Sequence, residues 1–186
     1  MVSVTAYRHL LKLPVWALAG ASHRSAAADW TRPKLARRER VLMSERDART
    51  RRRVVATPYA VYYQDLDRGF RSWYRLGWER VERADWDSTR GELRLVSLVP
   101  EAVPDLTLRP AASGRLPDLA RERVTATTLA RVPLHHAGRV AGWLSARRSV
   151  AGDGEVAWVV HLAAGVALAD ADVDRAIGEA RAHTGV

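Results

Sequence analysis

The sequence predicts a mainly β domain of the α+β class. Seven strands in two sheets form a partly open barrel, a C-terminal helix caps it, and an N-terminal extension precedes it. Three observations support this prediction. Short β-branched and aromatic segments recur after residue 38, turn residues separate them, and the last segment has helical periodicity. The 186 residues suffice for one domain of ordinary size and are too few for two.

The first half of the domain supplies four predicted strands. They are Glu39–Arg46, Arg53–Tyr63, Arg71–Trp86 and Glu92–Val99. Pro58 removes a backbone donor from the second strand, which predicts a sheet edge or a bulge there. Gly77 predicts a kink in the third strand. The short turn Asp87–Gly91 predicts that the third and fourth strands form a hairpin.

A proline-rich connection leads to the second group of strands. Residues 100–117 contain four of the eight prolines, and they predict a linker with a short extended piece at Leu106–Arg109. Pro117–Arg123 predicts a short helix, because proline is tolerated near a helix start. Three more strands are predicted after it, namely Val124–His135, Val140–Arg148 and Glu155–Ala163.

The chain closes with a predicted amphipathic helix at Asp170–His183. Its apolar residues recur at helical spacing on one face, at Val173, Ala176, Ile177 and Ala180. Such a face needs an apolar partner, and the opening between two orthogonal sheets would provide one.

This order of elements resembles the pleckstrin-homology-like (PH-like) superfold, in particular an uncharacterised bacterial PH-like family. The matching segments are Glu39-Arg40-Val41-Leu42, Val55-Ala56-Thr57, Trp78-Glu79, Ala84-Asp85-Trp86-Asp87, Glu122-Arg123-Val124 and Arg147-Arg148. The resemblance covers residues 38–183 and implies a PH-like domain at 38–186. It implies a fold and no particular activity, because members of the superfold bind phosphoinositides, peptides or partner domains.

Residues 1–37 are predicted to form a basic N-terminal arm, either flexible or with a short helix at Thr5–Leu13. Basic residues before an apolar stretch and the small residues Ala19–Ala21 resemble a signal peptide. Pro14 and Trp16 inside that stretch disfavour secretion. The apolar run is also too short to span a membrane.

The net positive charge of the chain comes from its first third. Residues 1–53 hold 13 Lys/Arg and 4 Asp/Glu, whereas the remaining residues hold 17 of each. Seven arginines are therefore candidate anion-binding residues, namely Arg37, Arg38, Arg40, Arg49, Arg51, Arg52 and Arg53. Arginine suits phosphate and carboxylate, although a run of charge at a turn is also typical of a solvated surface.

No residue pattern predicts a reaction, a metal site or a cofactor. There is no Cys, and no phosphate-binding loop or hydrolase motif occurs. His135 and His136 are neighbours on a strand and point to opposite faces, so they cannot chelate one metal together. His161 is predicted to be a satisfied interior or groove histidine rather than a catalytic base.

The sequence therefore predicts a cytoplasmic, non-enzymatic binding or scaffolding module. Its basic N-terminal region would contact an anionic partner, either a protein or a membrane surface. A structural or assembly protein without a ligand remains an alternative, as does peripheral attachment to a membrane. A nucleic-acid-associated protein is a further, less favoured alternative, and the lack of aromatic residues for base stacking in the basic run disfavours recognition of single strands.

Overall fold

The structure is a computed structural model that describes residues 8–12, 32–36, 39–64, 72–98, 105–110, 115–148 and 156–186. Within these ranges the chain forms eleven strands, two α-helices and one short 3-10 turn. The predicted mainly β class is confirmed.

The elements follow one another along the chain in this order. The strands are β1 (Arg8–Lys12), β2 (Met43–Arg46), β3 (Arg53–Ala56), β4 (Ala60–Gln64), β5 (Trp73–Gly77), β6 (Val81–Asp87), β7 (Glu92–Ser97), β8 (Leu106–Leu108), β9 (Thr128–His136), β10 (Arg139–Arg147) and β11 (Ala157–Leu162). The helices are α1 (Arg115–Thr127) and α2 (Asp170–Thr184), and the 3-10 turn is Trp78–Arg80.

The strands form three antiparallel sheets, so the prediction of seven strands in two sheets is wrong in its details. The orders are β1-β11-β10-β9, β2-β3-β4-β5 and β6-β7-β8. Within the described residues none of the three sheets closes into a barrel. The PH-like arrangement itself is therefore not established by the sheet topology.

Strand β1 lies where a short helix or a flexible arm is predicted. It pairs with β11 along its whole length, with Arg8 opposite Leu162 and Lys12 opposite Trp158. Pairing with a distant apolar strand satisfies the backbone groups of a segment too short to form a stable helix alone. The N-terminal segment thus contributes an edge strand to the sheet, while the apolar stretch with Pro14 and Trp16 and the small residues Ala19–Ala21 lie outside the described residues.

Two long predicted strands are each divided in the structure. Arg53–Tyr63 becomes β3 and β4, because residues 57–59 turn the chain where Pro58 was expected to cause a bulge or an edge. The Thr57 hydroxyl accepts hydrogen bonds from the backbone N–H groups of Tyr59 and Ala60 in this turn. The kink expected at Gly77 is the end of β5. The 3-10 turn follows, and β6 then enters a different sheet.

The first predicted strand begins later than expected because Glu39 has a different role. The Glu39 carboxylate is buried and accepts hydrogen bonds from the hydroxyls of Thr57 at 2.5 Å and Tyr62 at 2.6 Å. It also accepts the backbone N–H of Ala36 at 2.9 Å. Burial, together with its hydrogen bond to Glu39, raises the pKa of the Tyr62 hydroxyl to about 12.

Helix α1 is longer than predicted and takes the first residues of a predicted strand. Its buried residues Leu116, Ala120, Val124 and Thr127 recur at helical spacing. Burial of this face outweighs the β-propensity of the Val124–Thr127 segment, so β9 begins only at Thr128. The Thr127 hydroxyl donates to the Val124 carbonyl, which satisfies it within the helix.

Two large apolar clusters and a smaller third one stabilise the described part of the domain. The first joins the sheets β2–β5 and β6–β8 with α1, and its fully buried members include Trp78, Leu93 and Ala120. The second joins α2 to one face of the sheet β1-β11-β10-β9. Val173 and Ile177 are buried in it, which confirms the predicted apolar face of the C-terminal helix. The opposite face of that sheet is free to line a cleft.

Candidate functional site

A cleft of about 530 Å³ lies between β6, α1 and the face of the sheet β9–β11 that points away from α2. Strand β6 contributes Glu82 and Arg83 to its wall, and α1 contributes Arg121 and Val124. The strands β9, β10 and β11 contribute the residues opposite. The wall is rich in guanidinium groups.

The alternation of side chains along β10 determines which residues enter the cleft. Trp143, Ser145 and Arg147 all line it. The residues between them, Leu144 and Ala146, belong to the apolar cluster under α2. The two faces of β10 therefore have different roles: one contacts the C-terminal helix, and the other forms part of the polar wall of the cleft.

Arg147 is anchored deep in this wall and is only 6% exposed. Its guanidinium donates hydrogen bonds to the carbonyls of Val81 at 2.8 Å and Glu82 at 2.9 Å. It also donates to the Thr127 hydroxyl at 3.2 Å. Its Nε is buried and has no hydrogen-bond partner in the part of the chain that the structure describes. One charged donor of the wall therefore lacks an acceptor.

The pKa of Arg147 reports the burial of its charge. Burial, with a smaller contribution from the positive charge of Arg131, lowers this pKa to about 10 against the opposing effects of the Glu82 and Glu79 carboxylates. The side chain still carries its charge at neutral pH. An anion bound beside it would relieve both the burial of the charge and the repulsion.

A second group of polar residues crosses the cleft from Ser145 to Glu82. The Ser145 Oγ lies 3.1 Å from His161 Nε2, and the Glu82 Oε1 lies 3.6 Å from His161 Nδ1. Ser145 and His161 are 4% and 7% exposed. A carboxylate beside Nδ1 favours the imidazole tautomer with its proton on Nδ1, so that Nε2 accepts the hydroxyl proton of the serine. The expected interior or groove position of His161 is confirmed.

The mouth of the cleft carries two further arginines. The Arg131 guanidinium lies 5.1 Å from the centre of the half-exposed Trp143 ring. Arg121 is exposed on α1. Neither forms an ion pair with a carboxylate in the described ranges, whereas Arg83 pairs with Asp85 at 2.8 Å. The mouth is therefore open to a negatively charged group.

The five predicted arginines that the structure describes do not line the cleft. Four of them cluster at the β2–β3 hairpin, namely Arg49, Arg51, Arg52 and Arg53. Arg49 and Arg51 are exposed there, while Arg52 donates to the Thr50 hydroxyl and lies 5.8 Å from the Tyr63 ring. Arg40 lies beyond the other end of β2 and is not part of this cluster. Arg37 and Arg38 lie outside the described residues.

Asp47 organises the basic hairpin. Its buried carboxylate accepts the Thr50 backbone N–H at 2.5 Å and the Thr50 hydroxyl at 2.6 Å. It also accepts the backbone N–H of Arg109 at 2.6 Å, which ties the turn to the end of β8. Burial alone would raise the pKa of Asp47, but these hydrogen bonds and the nearby Arg52 charge together lower it.

Replacing Asp47 by asparagine is expected to lower the free energy of unfolding by about 2 kcal/mol at pH 7, because charge-assisted hydrogen bonds are lost. A carboxyl group with a lowered folded pKa stabilises above its unfolded pKa and loses that effect as the pH falls through the folded value. The difference between wild type and Asp47→Asn in urea denaturation should therefore shrink in acid. Asp87→Asn is the control, since Asp87 accepts two turn N–H groups in an exposed position. An equal loss in both variants would contradict the prediction.

Other polar candidates do not form a site. His135 and His136 are both exposed, and Asp85 is paired with Arg83. No group of three potential metal ligands occurs in the described part of the chain. Neither helix that the structure describes is both long and apolar enough to cross a lipid bilayer.

The residues of the cleft were not among the predicted site residues. Ser145 and Arg147 did carry a signal, because two polar residues at alternate positions interrupt the apolar strand β10. The position of Glu82 opposite them follows from how β6 and α1 pack on that sheet, and the sequence pattern does not contain this information.

No protein-family model, no curated protein and no solved structure matches the chain. The resemblance to PH-like proteins therefore stays a prediction from the sequence.

Proposed function

We propose that the chain is a PH-like binding module that takes an anionic group of a partner protein or a small ligand into the cleft. The observation that supports this most is Arg147, a buried guanidinium without a carboxylate partner in the described residues and with an unpaired Nε. Burying a charge is unfavourable unless it is paired. A carboxylate or phosphate that reaches this Nε would provide the pairing.

The shape of the cleft favours a compact anionic group over a flat anionic surface. Arg121 and Arg131 stand at its mouth, and Arg147 lies deeper in the wall. A carboxylate or phosphate that enters would meet exposed cations first and the buried donor last. This order suits attraction at long range followed by a specific hydrogen bond.

The β2–β3 hairpin is a second candidate surface, and it keeps the predicted contact with an anionic membrane or protein. Arg49 and Arg51 project from one exposed turn. Exposed cations near an anionic lipid surface each contribute about 1 kcal/mol. Anion binding at either surface involves no chemical reaction, so it does not test the prediction that the protein is not an enzyme.

Two double variants that remove the same charge distinguish the two surfaces. We expect Arg121→Ala with Arg131→Ala to weaken the binding of a fluorescein-labelled octaglutamate peptide roughly five- to thirtyfold, at about 0.5 to 1 kcal/mol for each exposed contact. Arg49→Ala with Arg51→Ala should change it by less than about twofold. Fluorescence anisotropy at low salt measures the affinity, and added NaCl should reduce it.

The opposite pattern would assign the anionic partner to the hairpin. Co-sedimentation with phosphatidylserine vesicles tests the membrane alternative, and it should be affected more by the hairpin variant than by the cleft variant. If neither the peptide nor the vesicles bind to the wild-type protein, the proposed function is wrong.

A further inference from the structure

We infer that the cleft also contains a nucleophilic site that cleaves carboxylic esters, with Ser145 as the nucleophile, His161 as the general base and Glu82 as a positioning residue. This inference goes beyond anion binding and does not depend on it. It rests on three side chains from two sheets that meet in the cleft.

The contacts have the connectivity that activates a serine hydroxyl. The nucleophile needs a base within hydrogen-bond reach, and the base needs a group that fixes its tautomer. Ser145 Oγ lies 3.1 Å from His161 Nε2, and the other ring nitrogen faces the Glu82 carboxylate at 3.6 Å. Contacts of this kind are often longer before a substrate is bound.

The backbone fixes all three groups. Ser145 and His161 lie on the paired strands β10 and β11, with Ser145 opposite Val159 and His161 opposite Trp143. The Glu82 carbonyl accepts a hydrogen bond from Arg147, which holds β6 against the same sheet. The three side chains therefore sit on rigid elements, as a reactive site requires.

The reaction balances with water as the only co-reactant. The Ser145 oxygen attacks the ester carbonyl while its proton moves to His161 Nε2. The tetrahedral intermediate collapses, the C–O bond to the alcohol breaks, and the alcohol leaves with that proton. Water then attacks the acyl-serine with His161 as base, which releases the acid and restores the serine.

The charges of the cleft indicate the class of ester. Arg147 lies two residues from Ser145 on the same face of β10, so its guanidinium charge stands beside the site where an oxyanion would develop. Arg131 and Arg121 at the mouth favour an ester whose acyl part carries a second, negative group. A dicarboxylic monoester has this chemistry.

Diisopropyl fluorophosphate tests the nucleophile directly in the wild-type chain. The activated serine oxygen should attack phosphorus, fluoride should leave, and the proton should pass to His161. We expect one modification, at the peptide that contains Ser145, in peptide mass spectrometry. No labelling of the folded protein, or labelling spread over other serines at a similar rate, would overturn the inference.

Variants separate the roles of the three residues. Ser145→Ala should abolish the modification, and His161→Gln should slow it roughly 100-fold, which is the lower range of general-base catalysis. His135→Gln is the matched control on an exposed histidine and should leave the rate unchanged. Near-ultraviolet circular dichroism verifies that each variant is folded. An unchanged labelling rate in folded His161→Gln would refute the role of the base.

The pH profile of labelling tests Glu82 as a positioning residue. In Glu82→Gln the acidic limb of the profile should move to lower pH and the plateau should fall, because a carboxylate near His161 favours its protonated form. The other charges of the cleft, Arg83, Arg121, Arg131 and Arg147, are the same in both proteins. An unchanged profile would remove Glu82 from the mechanism.

A pair of chromogenic esters distinguishes this inference from the proposed anion binding. We expect wild type to cleave p-nitrophenyl hemisuccinate faster than p-nitrophenyl acetate, and Arg131→Ala to reduce that preference. Equal rates for the two esters, with labelling at Ser145 intact, would support the nucleophile and contradict anion binding in the cleft. Octaglutamate binding without any labelling of Ser145 would support anion binding in the cleft and contradict the nucleophile.

Discussion

Gly142→Ala is expected to lower the free energy of unfolding by about 3 kcal/mol or more, because the added methyl group has no space. A Cβ built at this position would lie 1.9 Å from the carbonyl oxygen of His161 and 2.9 Å from its carbonyl carbon. These are backbone atoms of the neighbouring strand, and they cannot rotate away as the end of a side chain can. Gly142 also lies at a register shift between β9 and β10, where glycine permits close backbone approach.

The matched control is Gly178→Ala in α2. A Cβ there meets nothing within 4 Å, and glycine inside a helix is less favourable than alanine by about 1 kcal/mol. Urea denaturation followed by circular dichroism should therefore show opposite shifts for the two variants. A loss of less than about 1 kcal/mol in Gly142→Ala would show that β10 and β11 separate easily. In that case the sheet would not hold His161 rigidly.

Arg147→Met is expected to lower the free energy of unfolding by about 3 kcal/mol. The substitution keeps much of the side-chain volume but leaves the Val81 carbonyl, the Glu82 carbonyl and the Thr127 hydroxyl without their donor. Each buried group without a partner costs about 1 to 3 kcal/mol. The substitution also removes a buried charge, which by itself raises stability. This gain is smaller than the loss, because three acceptors already compensate the guanidinium.

Arg148→Met is the control, since this side chain is exposed and forms no hydrogen bond or ion pair with the described residues, while the Arg148 backbone N–H donates to the Thr127 carbonyl. It should change stability by no more than about 0.5 kcal/mol. Thermal unfolding and urea denaturation measure both variants. If Arg147→Met were instead as stable as wild type, the cost of burying the guanidinium would cancel the contribution of its hydrogen bonds. Ligand binding would then be the only role of this side chain.

Local patterns predicted the parts of the fold that depend on nearby residues. The turn Asp87–Gly91, the hairpin it closes and the buried face of α2 all follow from short-range periodicity and turn chemistry. Strand β1 did not, because residues 8–12 acquire their extended form from pairing with β11, about 150 residues away along the chain. Every other strand pair in the three sheets joins strands that are consecutive along the chain.

The candidate site was beyond the sequence for the same reason. Charge density led to the hairpin arginines, which are adjacent along the chain and mostly exposed. The cleft instead assembles Glu82, Arg131, Ser145 and His161 from four different strands. Each of them is unremarkable in its own segment. The pairing of β9, β10 and β11 brings Arg131, Ser145 and His161 together, and the packing of β6 against that sheet adds Glu82.

The alternation along β10 has one further consequence. From Trp143 to Arg147, the even-numbered Leu144 and Ala146 support α2, and the odd-numbered Trp143, Ser145 and Arg147 face the cleft. Inserting one residue into this strand would exchange the two sets, placing hydroxyl and guanidinium groups beneath the helix and leucine in the polar wall. The anchoring of the C-terminal helix and the chemistry of the cleft therefore depend on the same register of β10, and a shift of that register would change both.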